Sequence, residues 1–386
     1  MENVYLLVHV LIGSMKNIRQ SNINIHKDAW IEINLEHLAQ NIQSIKKFVP
    51  RNKKLMAIVK ADAYGHGAQM IAQTMLASGV DCFGVSSIDE GLDLREVKIK
   101  APILVVGAIP PWAIETAVNN DITISIFNEE HIKACKAVFE RIGIKPKVHI
   151  KIDTGMNRIG VRPEYAVEFI EKVQKTNYID LKGIFSHLSS AEEIDFTKEQ
   201  LNTWSEIISQ IDTKGLILHI QNTAATFAYD IPSNMVRVGI SLYGLYPDLP
   251  KNSSKPQLKP VLALKGRITN IHTLNAGESV SYGHTYTAFE TTRIATIPIG
   301  YADGISRLLS NKIEARINGE KIRQVGNITM DQMMFDLENI DAQIGDVVTL
   351  LDGESLTIDN WAQILNTINY ELTCRLKVRL PRIYTR

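Results

Sequence analysis

The chain has 386 residues, 45% hydrophobic and 22% charged, an ordinary globular composition with apolar material for two sizeable cores. Lysine plus arginine and aspartate plus glutamate both total 42, so no basic excess exists to neutralise a nucleic-acid backbone or an anionic membrane, and both are excluded as expected partners. The cysteines Cys82, Cys135 and Cys374 show no metal-ligand spacing and are too few for a disulfide framework, so no metal site and a reducing, cytoplasmic setting are expected.

Residues 1–28 read as an N-terminal extension. Their apolar run, residues 4–12 (VYLLVHVLI), is too short to span a bilayer and lacks both a basic segment before it and a small-residue cleavage site after it. Met15 offers a second translation start. From residue 29 to about residue 246, short β-branched runs alternate with longer amphipathic stretches: WIEINL, LMAIVKA, CFGVSS, PILVVGA, ITISIF, KVHIKID, LKGIFSH and LILHIQN, with a helix expected over 164–175. Eight such alternations fit a (β/α)8 TIM-like barrel over residues 29–260. A doubly wound open sheet is the alternative, but no glycine-rich dinucleotide turn follows the first strand.

Residues 248–260 (DLPKNSSKPQLKP) carry three prolines and no apolar periodicity, which reads as a linker. Beyond it, residues 261–386 show short alternating strands broken by turn signals, Asn318-Gly319 as a hairpin and Asp352-Gly353 as a second turn. This is expected to be a mainly β C-terminal domain with one late helix, 358–366, capped by Thr357.

Polar side chains recur where the apolar runs stop: Lys60, Asp62 and Tyr64; Lys151, Asp153 and Arg158; His187; Asn222 and Thr223; Arg237. In a parallel barrel the carboxyl ends of the strands converge on one face, so these groups are expected to share a site. Lys60 follows directly on an apolar strand, where desolvation would free the amine for Schiff-base chemistry; a lysine snorkelling at a strand end is the structural alternative.

The run VKADAYGHG around Lys60 resembles the cofactor-lysine motif of the alanine racemases, a family of fold-type III pyridoxal-phosphate enzymes. The resemblance continues through KIDTGMNRIG, HIQNTA, MVRVGISLYG, VSYGHTYTA, GYADG, Met330-Asp331-Gln332 and INYE, in family order from about residue 29 to the C-terminus. It implies a barrel plus β domain in a head-to-tail homodimer with shared active sites, acting on alanine and supplying D-alanine for peptidoglycan.

By that resemblance Lys60 carries pyridoxal 5'-phosphate and acts as one of two acid/base groups at the substrate α-carbon, and Tyr282, from the second domain, is the other. Racemisation requires a proton to leave one face and return to the opposite one, so two groups are a chemical need. Arg237 is implied to face the pyridine nitrogen, with His187 orienting it. A guanidinium has only donors, so it leaves the ring a weaker electron sink than a carboxylate would.

The same resemblance gives the phosphate to Tyr64, Tyr370, Thr223 and the N–H groups of Gly239 and Ile240; Thr223 stands where serine is more usual. Arg158 matches the fork for the substrate carboxylate, and Tyr301, Met330 and Asp331 match residues that line the active-site approach in the partner subunit, with the Met330 N–H a further candidate for the carboxylate. Lys151 occupies the place of a carbamylated lysine that pairs with Arg158; a plain lysine paired with Asp153 is the alternative. Thr329 stands where the family often has cysteine. Rival readings are a broader-specificity or serine racemase on the same scaffold, a barrel decarboxylase, for which Cys374 lies in the wrong local setting, and a non-enzymatic pyridoxal-phosphate-binding module.

Overall fold

The structure is a computed structural model that describes residues 27–386. The segment 1–26, most of the expected N-terminal extension, lies outside the described residues. The first strand, β1 (Ala29–Asn34), is followed by eight parallel strands that alternate with helices: β2 (Lys54–Ile58), β3 (Cys82–Val85), β4 (Ile103–Val105), β5 (Thr123–Ile126), β6 (Lys147–Lys151), β7 (Asp180–Phe185), β8 (Ile217–His219) and β9 (Met235–Val238). They form one sheet in the order β8-β7-β6-β5-β4-β3-β2-β9. Its ends meet, because the Asn234 and Arg237 N–H groups donate to the carbonyls of Leu218 and Gln221, and the Leu218 N–H donates to Asn234 Oδ1. The result is the TIM-like barrel, and strands such as β3, β5 and β9 are buried at every residue because helices cover the sheet.

The barrel strands are not quite those expected. WIEINL, read as the first barrel strand, is β1, and β1 pairs instead with two strands of the other sheet; the eighth barrel strand is β9, inside the MVRVGISLYG block. The local pattern cannot separate the two placements, since β1 alternates buried and half-buried residues. Tertiary pairing decides it. Asn34 then caps the helix Leu35–Phe48 by accepting the His37 N–H at 2.8 Å, and that helix carries the chain back to the barrel.

The second sheet contains β10 (Leu262–Arg267), β11 (Asn270–Leu274), β12 (Thr292–Ile297), β13 (Glu314–Ile317), β14 (Glu320–Val325), β15 (Met333–Asp336), β16 (Val347–Leu351) and β17 (Arg382–Thr385). Its order is β11-β12-β15-β14-β13-β16-β10-β1-β17, antiparallel except for the β1–β17 pair. The Asn318-Gly319 hairpin forms as expected, both residues at positive φ, 52° and 86°, the type I′ geometry that matches strand twist. Asp352 closes the other expected turn by accepting three successive N–H groups, and Thr357 caps the helix Ile358–Leu365. Residues 248–260 hold no strand or helix, and the Asn41 amide fixes their end by bonding both the carbonyl and the N–H of Lys259 at 2.7 Å.

After the second sheet's main strands, the chain returns to the barrel mouth as the helix Asn369–Arg375, which packs against the turn Lys60–Gly65. Among the described residues no helix is long and apolar enough to cross a membrane.

Candidate active site

The carboxyl ends of the barrel strands gather the polar groups, and the turn after β2 is the least ordinary piece of backbone. Ala61, Asp62, Ala63 and Tyr64 all have φ between 52° and 54° with ψ between 39° and 49°, one turn of left-handed helix. L-residues there cost about 1–2 kcal/mol each, so the turn is held by what surrounds it. Lys60 opens it and is exposed. The desolvation expected from its position beyond an apolar strand is therefore not provided by this chain alone, because β2 ends two residues earlier and Lys60 stands clear of the barrel. Tyr64 is buried.

Tyr64, Tyr370, Thr223 and Gly239 meet. The Tyr64 and Tyr370 rings lie 5.9 Å apart and Tyr64 rests 5.3 Å from Tyr243. Neither the Tyr64 nor the Tyr370 hydroxyl has a hydrogen-bond partner among the described residues, and burial raises both above the ordinary phenol range, so both stay protonated donors. The Gly239 N–H donates to the Thr223 hydroxyl at 3.0 Å. A Cβ on Gly239 would lie 2.6 Å from the Tyr64 hydroxyl oxygen, so only glycine leaves this space open. Ile240 opens a short 3-10 helix, where its N–H has no intrahelical acceptor. Uncommitted neutral donors around an open space suit an anion such as phosphate.

Inside the barrel, Arg237 is buried and all its hydrogen bonds are to uncharged groups. One guanidinium nitrogen donates to His219 Nδ1 at 2.8 Å and to the His219 carbonyl at 3.0 Å; the other reaches the carbonyls of Ser186 (2.7 Å) and Ile220 (3.1 Å) and His187 Nδ1 (3.1 Å). Since a guanidinium only donates, His219 Nδ1 must accept. The His219 proton then sits on Nε2, which faces His149 Nδ1 at 2.8 Å and donates to it. Burial first, and the Arg237 charge second, push His219 and His187 well below the ordinary imidazole range and His149 down to about 3. These imidazoles are neutral. Arg237, lowered by burial to about 9, remains a cation at neutral pH. His187, expected as its orienter, does touch it. His219 and His149 were missed because a histidine inside an apolar strand reads as core; the signal was one histidine in each of two alternate barrel strands, β6 and β8, which flank β7.

Lys151, the last residue of β6, is 3% exposed and makes no hydrogen bond or ion pair among the described residues; its ammonium position lies 5.0 Å over the Phe185 ring. Burial, then the nearby Arg237 charge, pull its pKa well down. The expected alternative, pairing with Asp153, is not formed: Asp153 accepts the Gly155 and Asn157 N–H groups at 3.1 and 2.9 Å and faces Arg162 at 3.6 Å. Arg158 is exposed and without a partner among the described residues, yet its charge reaches Lys151 and His187.

The remaining expected residues lie in the second domain and are not joined to this cluster by any hydrogen bond, ion pair or ring contact. Tyr282 is 73% exposed, with only its backbone carbonyl engaged, by Asn327 at 2.7 Å. Tyr301 and Met330 are exposed and their backbones run together, the Tyr301 N–H donating to Thr329 and the Ala302 N–H to Met330. Asp331 pairs with Arg379 at 2.6 Å, and Arg379 also reaches Asp303, a fully buried carboxylate that Lys27 contacts at 2.6 Å. Among the described residues no group of His, Cys, Asp and Glu could hold a metal ion.

A parallel barrel with an anion cradle and a buried guanidinium at its carboxyl end, joined to a β domain, defines an enzyme acting on small molecules. The family models for the alanine racemase N-terminal domain and C-terminal domain match residues 33–247 and 261–384. Alanine racemase of Nostoc sp. is 43% identical over 92% of this chain and 95% of its own. Alanine racemase of Clostridium difficile 630 superposes with TM-score 0.88 at 38% identity, covering 93% of this chain and 96% of that one. The Bacillus anthracis alanine racemase, solved with L-Ala-P bound, gives 0.84 at 34% identity, with 93% and 95% covered. A histidine racemase of Leuconostoc mesenteroides gives 0.86 at 29% identity, with 95% and 100% covered. The chain belongs to the alanine racemase family and is an amino-acid racemase, an isomerase.

Proposed function

We propose that the protein interconverts L-alanine and D-alanine as a pyridoxal-phosphate enzyme built as a head-to-tail homodimer. The observation that carries the reading is the cradle of unpaired hydroxyls, Tyr64 and Tyr370, around Gly239, next to a donor-only Arg237 and a lysine at the strand end. These groups fit the cofactor: donors for its phosphate, a fork of donors for its ring nitrogen, an amine for its aldehyde. When bound, the cofactor withdraws electrons so that the substrate α-proton becomes removable.

The chain's own residues then divide the work. Tyr64, Tyr370, Thr223 and the N–H groups of Gly239 and Ile240 hold the phosphate. Arg237 faces the ring nitrogen; its two terminal nitrogens are held by neutral acceptors and, staying a cation, it hands the ring nitrogen no proton, which would keep the ring a weak sink and suits racemisation over transamination. His187 orients it. Arg158 grips the substrate carboxylate with its planar fork, aided by the N–H of the partner subunit's Met330, and the partner subunit's Tyr301 and the partner subunit's Asp331 line the approach. Lys151 is buried with no ion-pair partner among the described residues. An uncharged amine is the form that adds carbon dioxide, and the resulting carbamate would pair with Arg158. Lys60 Nζ takes or gives the proton on one face of the α-carbon, and the partner subunit's Tyr282 does so on the other. In the cell the product would serve peptidoglycan synthesis in the cytoplasm.

Incubating the protein with L-alanine in deuterium oxide and following D-alanine formation and α-carbon exchange tests the reading. D-alanine carrying deuterium supports it. Cofactor absorbance without alanine exchange overturns the substrate, and histidine and serine are then offered in turn, since a histidine racemase shares this fold. No cofactor absorbance in protein loaded with pyridoxal phosphate overturns the role of Lys60.

A further inference from the structure

The left-handed turn after β2 is gripped from two sides. From within, His66 is fully buried and its Nδ1 faces the carbonyls of Ala63 (2.9 Å) and Tyr64 (3.0 Å). Two carbonyls can only accept, so Nδ1 carries the proton. Nε2 is then an unprotonated nitrogen with no partner among the described residues. Burial holds this imidazole neutral, at about 4. Its ring stacks on Tyr243 at 4.4 Å, and the Tyr243 hydroxyl donates to the carbonyl of Ile58, the last residue of β2.

From outside come the last residues of the chain. Arg382 Nε donates to the Gly65 carbonyl and the Tyr384 hydroxyl donates to the His66 carbonyl, both at 3.2 Å. Both residues lie on β17, anchored to β1 by parallel pairing. The rest of the Arg382 guanidinium bonds the carbonyls of Leu376, Lys377 and Leu380. The close approach is built into the turn: a Cβ on Gly67 would lie 1.8 Å from the Tyr384 hydroxyl, and one on Gly65 would lie 2.5 Å from the Thr373 carbonyl.

We propose that β17 is a latch on the cofactor turn, with Arg382 and Tyr384 as positioning residues that keep Lys60 and Tyr64 in fixed relation. The two side chains that would hold opposite ends of the cofactor bracket a backbone conformation that L-residues leave unless restrained. The second domain thereby governs cofactor retention through contacts within one chain, independently of any residue it lends to another. The cofactor arm of this inference rests on the function proposed above; the backbone arm does not.

The test uses Tyr384→Phe, which keeps the ring and removes one hydroxyl, and Arg382→Lys, which keeps the charge and loses the fork. In cofactor-free full-length protein, hydrogen exchange is followed at the amides of Ala63, His66 and Gly67, which bond within the turn, with β10 and β16 amides as internal controls. The expected result is at least tenfold faster exchange at 63–67 in both variants, unchanged exchange in β10 and β16, and a roughly tenfold weaker dissociation constant for pyridoxal phosphate with KM for substrate unchanged. Unchanged exchange at 63–67 in both variants overturns the latch whatever happens to activity. Faster exchange everywhere also overturns it, as the residues would then be general supports of the fold. If the wild-type protein binds no pyridoxal phosphate, the function fails while the exchange result still decides the latch.

Discussion

Replacing Gly239 by alanine tests the cradle at its narrowest point. The new methyl would lie 2.6 Å from the Tyr64 hydroxyl oxygen and 3.1 Å from its Cζ, against an ordinary carbon contact of about 3.5 Å or more, so the hydroxyl must retreat by roughly 0.9 Å. It has little freedom to do so. The Tyr64 backbone sits in the left-handed turn, and its ring packs between Tyr243 and Tyr370. Overpacking of this kind costs about 1–3 kcal/mol. If it falls on the hydroxyl that receives the phosphate, the affinity for pyridoxal phosphate drops roughly 5- to 150-fold, at about 1.4 kcal/mol per tenfold. Titrating cofactor-free protein by intrinsic fluorescence measures this, and pyridoxal, which lacks the phosphate, is the control and should lose far less. A Gly239→Ala protein that binds pyridoxal phosphate within twofold of wild type refutes the reasoning. So does an equal loss for pyridoxal.

Tyr282→Phe should leave cofactor affinity within twofold and lower racemisation by about 100-fold or more, with deuterium exchange lost from the L-enantiomer and largely kept from the D-enantiomer; a symmetrical loss would count against two opposed groups. Arg237→Lys should lower the urea unfolding midpoint by the equivalent of about 2–6 kcal/mol, because an ammonium cannot serve five spread acceptors and leaves about two of them dry at about 1–3 kcal/mol each; an equally stable variant would show the network to be dispensable. Stability should also fall with acid. His66 and His149 titrate at about 4 and about 3 when folded against about 6.5 unfolded, so as the pH drops below 6.5 the unfolded chain takes up the protons first. Each then forfeits about 1.4 kcal/mol by pH 5.5, a loss that continues down through the folded values, and His187 and His219 act in the same direction. Urea midpoints equal at pH 7.5 and 5.5 would contradict the neutral, buried assignment.

Much of the architecture is visible in the residues, for reasons that differ by element. The barrel helices announce themselves by apolar spacing, and the Asn318-Gly319 hairpin by two residues that tolerate positive φ. The placement of β1 was not visible. Its six residues alternate like any half-covered strand, and only pairing with β10 and β17, more than 200 residues away, assigns it to the second sheet. The left-handed turn is hidden for a stronger reason: Lys-Ala-Asp-Ala-Tyr holds no glycine, so its conformation is imposed by contacts, from Glu90 and the Ala68 N–H at its start and from His66, Arg382 and Tyr384 at its end. The motif residues at strand ends, with His187 beside Arg237, could be named from the sequence, but not the fully buried histidines behind them. His219 and His149 look like core until their hydrogen bonds are traced, and Gly183 looks like a bend until one sees that a Cβ there would sit 2.7 Å from the His149 ring.

The two halves of the proposed site differ in a way that the chemistry explains. Its cofactor-holding half is buried and complete: Arg237, His219, His149, Tyr64 and Thr223 lie in one chain with their geometry fixed by packing. Its proton-moving and substrate-holding half is open. Lys60 and Arg158 are exposed, and Tyr282, Tyr301 and Met330 stand out from the second domain at 73%, 42% and 53% exposure with no side-chain hydrogen bond among the described residues. An exposed base is not held in fixed position over one face of the α-carbon, and fixed charges work best where water is excluded. A single chain built this way can hold the cofactor without sequestering the reaction. On the proposed reading, burying Tyr282 and Tyr301 of one subunit over Lys60 and Arg158 of another removes both deficits in one step, so the exposed side chains of the second domain and the open barrel mouth are two halves that a dimer would bring together.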